Sequence, residues 1–556
     1  MKLTGAEILV RTLIDQHVDV IFGYPGGAVL DIYNKLYEYS GEIKHILTAH
    51  EQGAAHGADG YARATGKVGV VLATSGPGAT NLTTGIATAY LDSVPLVAIT
   101  GNVGCPLIGR DSFQEVDITG ITMPITKHNF FVNRVSKLQD TIREAFRIAM
   151  SDRPGPVLID IPKDIQTAVC EYEPKPPVVP NKKKDVSEAA VAEAVGLINS
   201  AKKPYIYVGG GVIASQASEQ VLALAEKIDG VIGSSLMGIS AIPTDYPRFL
   251  GMQGMHGHYA SSMSLDNADL VIAVGARFSD RATGNKSLYA PKAKIIHIDI
   301  DNAEIDKNIE VDCGIRGDVK LTLEKIISSV EPSKKVDWQS EVDYYRENER
   351  RQQKVTGGMS PYEIFGVINE CIDDDTVVTT DVGQHQMWAA QYCKFGKPRK
   401  FITSGGLGTM GFGLGAAIGS QIGAGGKSLL VVGDGGFGMC LNELATAVTQ
   451  NIPVVIVVIN NGVLGMVRQW QTLFYDKHYS NTILDRKTDF VKLAQAFGAD
   501  GFRCTDLNSF SDTLKAAFEM HKPVVIDCII DKDEMVMPML PPGGSMADII
   551  VERPGE

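Results

Sequence analysis

The stretch Ser428-Leu-Leu-Val-Val-Gly-Asp-Gly-Gly-Phe-Gly438, followed after an amphipathic segment at 439–449 by Val454-Val-Ile-Val-Val-Ile-Asn-Asn-Gly462, decides the fold. Its apolar runs and glycine punctuation predict strand, tight turn, helix, strand, turn: a βαβ unit whose strand ends carry polar groups to one edge of a parallel sheet. In an open α/β sheet that edge is where ligands bind. Asp434 and Asn461 bring a carboxylate and a side-chain amide there, oxygen donors that suit Mg2+, which keeps few protein ligands and completes its octahedron with phosphate oxygens and water. Gly435 and Gly436 let backbone amides approach such phosphates, and the helix after Phe437 points its N-terminus at them. Either turn alone reads as an ordinary turn. Separated by 25 residues with a βαβ pattern between them, the two form a diphosphate clamp assembled through a metal.

The chain has 556 residues, enough for about three domains of roughly 150 to 200 residues each. With 44% hydrophobic and 21% charged residues it reads as globular, and a net charge of -13 argues against a nucleic-acid partner. The eight cysteines are scattered without a Cys-x-x-Cys pair, so neither a disulfide framework nor a zinc site is suggested. No signal peptide and no apolar span long enough for a membrane helix is read, and a reducing cytoplasm is the expected compartment.

The spacing of Asp434 and Asn461 resembles the thiamine diphosphate motif, and that chemistry asks for one carboxyl group against the aminopyrimidine ring. A short strand at 46–49 delivers His50-Glu51 to the start of an Ala- and Gly-rich helix at 52–64 whose neighbours can approach closely. Glu51 is the candidate, although an acid in a first helical turn also serves the helix dipole. The next strand ends in Thr74-Ser-Gly-Pro-Gly-Ala-Thr-Asn81, a second polar turn at the same edge. A long loop at 101–122 holds Arg110, Phe113, Gln114 and Glu115 and leads to Lys127. Arg153-Pro-Gly-Pro-Val-Leu-Ile-Asp160 echoes His521-Lys-Pro-Val-Val-Ile-Asp527, so the first and last thirds read as two copies of one α/β design. A Pro-rich linker at 171–185 carries Lys182-Lys-Lys184, read as a solvated hinge. The middle strands near 205, 270 and 295 end in glycine or aspartate, ingredients of a nucleotide-binding sheet without the G-x-G-x-x-G fingerprint. A charged helical linker is expected at 331–358.

The expected architecture is α/β, three doubly wound parallel-sheet domains: a pyrimidine-binding domain at 1–170, a central FAD- or nucleotide-type domain at 186–332, and a diphosphate- and Mg-binding domain at 358–545. Over essentially its full length the chain resembles the acetohydroxyacid synthase (acetolactate synthase) large-subunit family. The resemblance is carried by Tyr24-Pro-Gly-Gly-Ala28, His50-Glu51, Ser112-Phe-Gln-Glu115, Ile125-Thr-Lys-His-Asn129, Gly254-Met-His-Gly257, Gly275-Ala-Arg-Phe-Ser-Asp-Arg281, Gln384-His-Gln-Met-Trp-Ala-Ala390, the Gly-Asp-Gly motif and Leu464-Gly-Met-Val-Arg-Gln-Trp470.

That resemblance implies an enzyme using thiamine diphosphate and Mg2+ to decarboxylate pyruvate and join the two-carbon unit to a second 2-keto acid, in branched-chain amino-acid biosynthesis. It implies that Glu51 activates the cofactor, that Asp434, Asn461 and the Val463 carbonyl hold the metal, and that Met410 braces the cofactor. Pro25, Gly26, Gln384, His385, Gly408, Gly435 and Gly436 would lie on thiamine diphosphate. Phe113, Gln114 and Lys127 would line the pocket from a facing subunit, and Arg281 and Trp470 would select the acceptor. FAD, structural in this family, would sit on Gly209, Gly210, Gly211, Met255, His256, Arg277 and Asp299. A homodimer or dimer of dimers is implied because Glu51 and Asp434 lie in different domains, together with a separate small regulatory subunit. The chain departs from the family pattern at Gly104-Cys-Pro106, Ser279 and Pro542. An FAD-free fermentative acetolactate synthase and a pyruvate-oxidase-like flavoenzyme are the alternative readings.

Overall fold

The computed structural model describes residues 1–180, 186–352 and 358–552; the lysine run at 182–184 lies outside the described residues. Three six-stranded sheets, each wholly parallel, form the frame. The first holds β1 (Val20–Tyr24), β2 (Lys44–Leu47), β3 (Gly69–Ala73), β4 (Leu96–Asn102), β5 (His128–Phe131) and β6 (Pro156–Pro162), in the order β2-β1-β3-β4-β6-β5. The second holds β7 (Pro204–Val208), β8 (Val231–Ser234), β9 (Phe249–Met252), β10 (Leu270–Val274), β11 (Lys294–Asp299) and β12 (Cys313–Arg316), ordered β9-β8-β7-β10-β11-β12. The third holds β13 (Val377–Thr380), β14 (Phe401–Ile402), β15 (Ser428–Gly433), β16 (Val454–Asn460), β17 (Asp500–Cys504) and β18 (Val524–Ile529), ordered β14-β13-β15-β16-β18-β17. First and third sheets therefore share one topology, and the two echoing sequences fall on its equivalent strands β6 and β18.

Five helices matter for the site: α1 (Glu51–Thr65), α2 (Thr83–Leu91), α3 (Val336–Gln352), α4 (Gly413–Ala424) and α5 (Asp434–Cys440). His50 caps α1 by accepting the Gln52 amide on Nδ1 at 3.1 Å, and Gly66, at φ 76°, ends it in the left-handed region. In the central strands, runs such as Val454-Val-Ile-Val-Val-Ile are buried on both faces, as parallel strands between helix layers require. One apolar core runs from Phe22 and Val71 through Ala54, Ala58 and Leu414 to Leu430 and Ile456, so the first and third sheets share it.

Two elements differ from the sequence expectation. The helix expected after Phe437 begins at Asp434, with Gly435, Gly436 and Gly438 inside it. Gly436 permits this because a Cβ there would lie 2.5 Å from Asp381 Oδ1. The stretch at 128–131, to which the sequence assigned no element, is the four-residue edge strand β5, too short to show an alternating pattern. The charged segment expected as a helical linker is α3, and it is bolted down: Trp338 is buried and donates from Nε1 to the Pro204 carbonyl at 3.2 Å.

Two tests follow from this packing. A Cβ on Gly419 would lie 1.8 Å from the Gly57 carbonyl oxygen, a main-chain atom that cannot swing aside. Gly419→Ala is expected to cost about 1–3 kcal/mol or more, read as a lowered melting temperature. The second concerns α3. His258 Nδ1 lies 2.7 Å from Glu349 Oε1. Burial pulls the imidazole down, but Glu349 more than offsets this and raises it above 6.5; burial likewise opposes ionisation of Glu349, yet His258 and two backbone amides bring it below 4.5. The raised histidine contributes stability that is complete below its unfolded value and lost as pH rises through its folded one, while the lowered glutamate contributes above its unfolded value and loses it on acidification. The melting-temperature gap between the wild type and Glu349→Gln is expected to be widest at about pH 5 to 6 and to narrow by about pH 8.

Candidate functional site

The C-terminal strand ends of the first sheet gather one half of the site. Pro25 and Gly26 follow β1, and a Cβ on Gly26 would strike the Thr74 side chain at 2.5 Å, which brings the turns after β1 and β3 together. Glu51 opens α1, buried, and its Oε2 accepts from Asn81 Nδ2 at 2.9 Å. Gly78 also borders this carboxylate, since a Cβ there would lie 3.2 Å from Oε1. The loop after β4 presents Phe113, 88% exposed, beside Gln114, which sits at φ 59° against Gly76. Glu115 braces this tip by accepting the amides of Gly109 and Ser112.

Lys127 stands apart. It immediately precedes β5, at the opposite edge of the sheet, and donates from Nζ to the Ile148 and Ser151 carbonyls at 2.5 and 2.6 Å. Burial pulls its ammonium down to about 8. Within one chain the structure does not bring it to Glu51.

The third sheet gathers the other half. Asp434 opens α5, and burial pushes its carboxyl up to about 6. Asn461 Oδ1 accepts the Val463 amide at 3.2 Å while its Nδ2 faces Gln384 Oε1 at 3.3 Å. Gln384 in turn donates to Gln469 Oε1 at 3.0 Å and to the Glu534 carbonyl at 2.8 Å, which fixes the orientation of both amides. His385 is buried and held neutral, its pKa drawn down to about 3 by desolvation, and its Nε2 has no protein partner. A Cβ on Gly433 would lie 3.0 Å from the Nδ1 of this ring. Gly435 opens a cradle: a Cβ there would meet Leu464 at 2.9 Å, Leu484 at 3.3 Å and Met410 Cε at 3.7 Å. Gly408, at φ 68°, lies exposed in the loop that carries Met410.

A carboxylate, an amide oxygen and a main-chain carbonyl, with an unpartnered imidazole nitrogen and a bare helix start beside them, fit a divalent cation bound to a diphosphate. Among the described residues no three His, Cys, Asp or Glu side chains form a metal cage. A cavity of about 380 Å³ between Asp19, Lys44, Tyr61 and Ile422 lies at the far ends of α1 and α4 and contains none of these groups.

In the central sheet the order β9-β8-β7-β10-β11-β12 is that of dinucleotide-binding folds. Gly209 and Gly211 are explained by packing, since Cβ atoms there would lie 2.2 and 2.6 Å from Gly275 backbone atoms; Gly210 has room. At the same edge, buried Ser234 Oγ, Gln253 Oε1 and Nε2, and His256 Nδ1 have no protein partner, which fits a polar ligand. Burial and the Arg281 charge hold His256 down to about 4, and burial lifts Asp299 to about 6. Arg277 follows β10 and the unpartnered edge at one residue's remove from Gly275. Met255, Arg281 and Trp470 meet: the Arg281 guanidinium lies 5.5 Å over the indole, and its Nη1 is 3.6 Å from Met255 Sδ.

Three profiles of thiamine pyrophosphate enzymes match this chain: the N-terminal TPP binding domain at residues 3–121, the central domain at 191–326, and the C-terminal TPP binding domain at 381–528. An acetolactate synthase of Mycobacterium bovis is 46% identical over 571 residues, covering 99% of this chain and 92% of that protein. Acetolactate synthase large subunits of Corynebacterium glutamicum and Haemophilus influenzae are 45% and 42% identical, over 99% and 100% of this chain and 90% and 99% of their own lengths. The chain belongs to the acetolactate synthase family. Its N- and C-terminal domains are thiamine diphosphate-binding domains, and the chain is a thiamine diphosphate-dependent carboligase.

Sequence reasoning did not single out Asn81, which lay quoted in the turn after β3, or Glu443, which no motif marks. Glu443 accepts the Ala49 and His50 amides at 3.1 and 3.0 Å, tying the turn before Glu51 to the domain of Asp434. Asn81→Ala removes the donor that aims Glu51, and turnover is expected to fall about tenfold, with little change in melting temperature.

Proposed function

We propose that the protein is the catalytic subunit of a Mg2+- and thiamine diphosphate-dependent acetolactate synthase that decarboxylates pyruvate and transfers the two-carbon unit to a second 2-keto acid, pyruvate or 2-ketobutyrate, in branched-chain amino-acid biosynthesis. The observation that carries this reading is the set Asp434, Asn461, His385 and Met410 gathered about the Gly433–Gly435 turn. Thiamine diphosphate supplies the electron sink for the decarboxylation. In this reading Glu51 holds a proton at the pyrimidine, Asp434, Asn461 and the Val463 carbonyl hold Mg2+, and His385 Nε2 with Gln384 faces the diphosphate. Gly408 and Gly435 leave space for the cofactor, and Pro25, Gly26 and Gly436 lie in the turns beside it. Arg281, poised on Trp470, pairs with the acceptor carboxylate.

FAD on the central sheet is supported by the strand order and by the unpartnered atoms of Ser234, Gln253 and His256. A division at 1–170, 186–332 and 358–545 is supported by the three sheets, each of which falls within one of these spans. That Glu51 and Asp434 lie in different domains supports a site shared between subunits of a dimer, with exposed Phe113 and the half-buried Gln114 and Lys127 facing the partner. A separate small regulatory subunit fits the large-subunit names of the relatives. Among the described residues no helix is long and apolar enough to cross a membrane. The cytoplasm is the proposed location.

The test is pyruvate turnover with thiamine diphosphate and Mg2+, with and without FAD, scoring acetolactate and flavin reduction together. Acetolactate formed only with FAD, while the flavin stays oxidised, is the expected result; flavin-independent acetolactate or flavin reduction with acetate would overturn the FAD assignment or the synthase reading, respectively. Glu51→Gln is expected to bind the cofactor yet turn over about 10²–10⁴ times more slowly.

A further inference from the structure

The loop from Thr403 to Phe412, which carries Met410, is tethered from its own domain, where Gln386 donates from Nε2 to Thr403 Oγ1 at 2.7 Å and to the Ser404 carbonyl at 3.1 Å, and from three residues of the N-terminal domain. Arg63 on α1 donates from Nη1 to the Thr403 carbonyl at 3.0 Å. Asp92, at the C-terminal end of α2, accepts the Gly405 amide on Oδ2 at 3.1 Å and the Gly406 amide on Oδ1 at 2.6 Å. The same Oδ2 pairs with Arg63 at 2.9 Å. Thr409 Oγ1 meets Thr88 Oγ1 on α2 at 2.8 Å. Beyond Met410, the buried Asp381 carboxylate accepts the Gly411 and Gly413 amides on Oδ2 at 2.9 and 2.8 Å. The central domain touches the loop too, since a Cβ on Gly405 would lie 2.4 Å from Met237 Sδ.

Met410 thus emerges between two tethered residues, Thr409 and Gly411, and its Cε packs over the Gly435 cradle. Between the tethers at Gly406 and Thr409 lie Leu407 and Gly408, the latter at positive φ, and this chain would wander without them. We propose that Asp92 and Asp381 are positioning residues for Met410: the N-terminal domain, through Asp92 and the Arg63 of α1, and the C-terminal domain, through Asp381, together set where this side chain meets thiamine diphosphate. The inference rests on the reading in which Met410 touches the cofactor. Its content is that α1, the helix that opens with Glu51, and α2 packed against it also hold the Met410 loop, so one packed unit sets both Glu51 and Met410 of a chain, each toward its own site of the proposed dimer.

Asparagine at 92 keeps the shape but leaves one acceptor oxygen where two amides and a guanidinium now converge, so the loop loses a tether. The test is a double-mutant cycle on the full-length protein with Mg2+, reading thiamine diphosphate affinity by equilibrium dialysis and folding by thermal melting. Met410→Ala and Asp92→Asn are each expected to weaken binding about tenfold, and the two together no more than about twofold beyond Met410→Ala alone, because a tether for an absent side chain has nothing left to do. Effects that multiply in the double variant would show that Asp92 acts independently of Met410 and would overturn the proposal, as would unchanged affinity in Asp92→Asn. Unchanged affinity in Met410→Ala would instead remove the cofactor contact itself, a separate failure that takes the proposal with it. Asp381→Asn, run through the same cycle, decides the matter should Asp92→Asn fail to fold.

Discussion

Everything at the site depends on how closely α1 and α4 can approach. Their backbones touch: a Cβ on Gly60 would lie 2.1 Å from the Ala416 carbonyl oxygen, one on Gly419 1.8 Å from that of Gly57, and one on Gly415 2.7 Å from that of Gly53. Side chains of ordinary size would separate the helices by several ångströms, and the shared core between the two sheets would open with them. The crossing matters chemically because each helix starts at the ligand edge. Glu51 is the first residue of α1, and α4 begins directly after the loop of Met410 and the amides held by Asp381. Fixing one helix on the other therefore fixes a carboxylate of one domain against a loop of the other.

Around that crossing, buried carboxylates do much of the fastening, and most of their partners are backbone amides, joined by the Arg63 guanidinium on Asp92 and the Thr446 hydroxyl on Glu443. Asp381 takes Val382, Gly411 and Gly413; Asp92 takes Gly405 and Gly406; Glu443 takes Ala49 and His50. An unpaired buried carboxylate is costly, and two or three amide bonds offset part of that cost. The balance stays on the side of desolvation: Asp381 is pushed up to about 6, and Glu443 is raised as well. Lysine partners would have stabilised these acids more, but a mobile cation fixes no loop. Amides do, because each one bound removes a backbone degree of freedom from a glycine-rich segment.

The sequence announced the parallel sheets and the ligand edge well, because apolar runs and glycine turns are local signals. Asp434, Asn461 and Glu51 were legible for the same reason, each ending a strand or opening a helix within a short motif. The Ala and Gly content of 52–64 predicted a close neighbour but could not say which helix that would be, since the partner lies some 350 residues on in the chain and close packing leaves no periodic mark. Asp92 and Glu443 were invisible: an acid that caps amides from another domain looks, in sequence, like any helix-end acid. The glycines at 209 and 211 carry a packing role that no local pattern shows, since Gly275 passes against both.

That contact at Gly275 has counterparts in the other two sheets, and the three together explain where the ligand sites fall. In each sheet the strand order reverses beside the first strand, between β1 and β3, between β7 and β10, and between β13 and β15; the first and third sheets turn back once more at their far edges, β6-β5 and β18-β17. Connections leave those strands in opposite directions, so the two turns at the reversal have no crossover lying on them and can close on each other or on a ligand. The contacts are found at these reversals: Gly26 with Thr74, Gly209 with Gly275, and Gly436 with Asp381. Each pair needs a glycine because two strand ends 5 Å apart in the sheet leave no room for a Cβ between their turns. The first and third sheets share one order and so present equivalent reversals. What distinguishes them is the residue placed beside the turn, an acid at the head of α1 in one and a carboxylate and amide flanking α5 in the other. One topology used twice can thus offer a proton-handling group and a metal-binding group, and the glycine crossing of α1 on α4 determines how those two edges are set in a single chain.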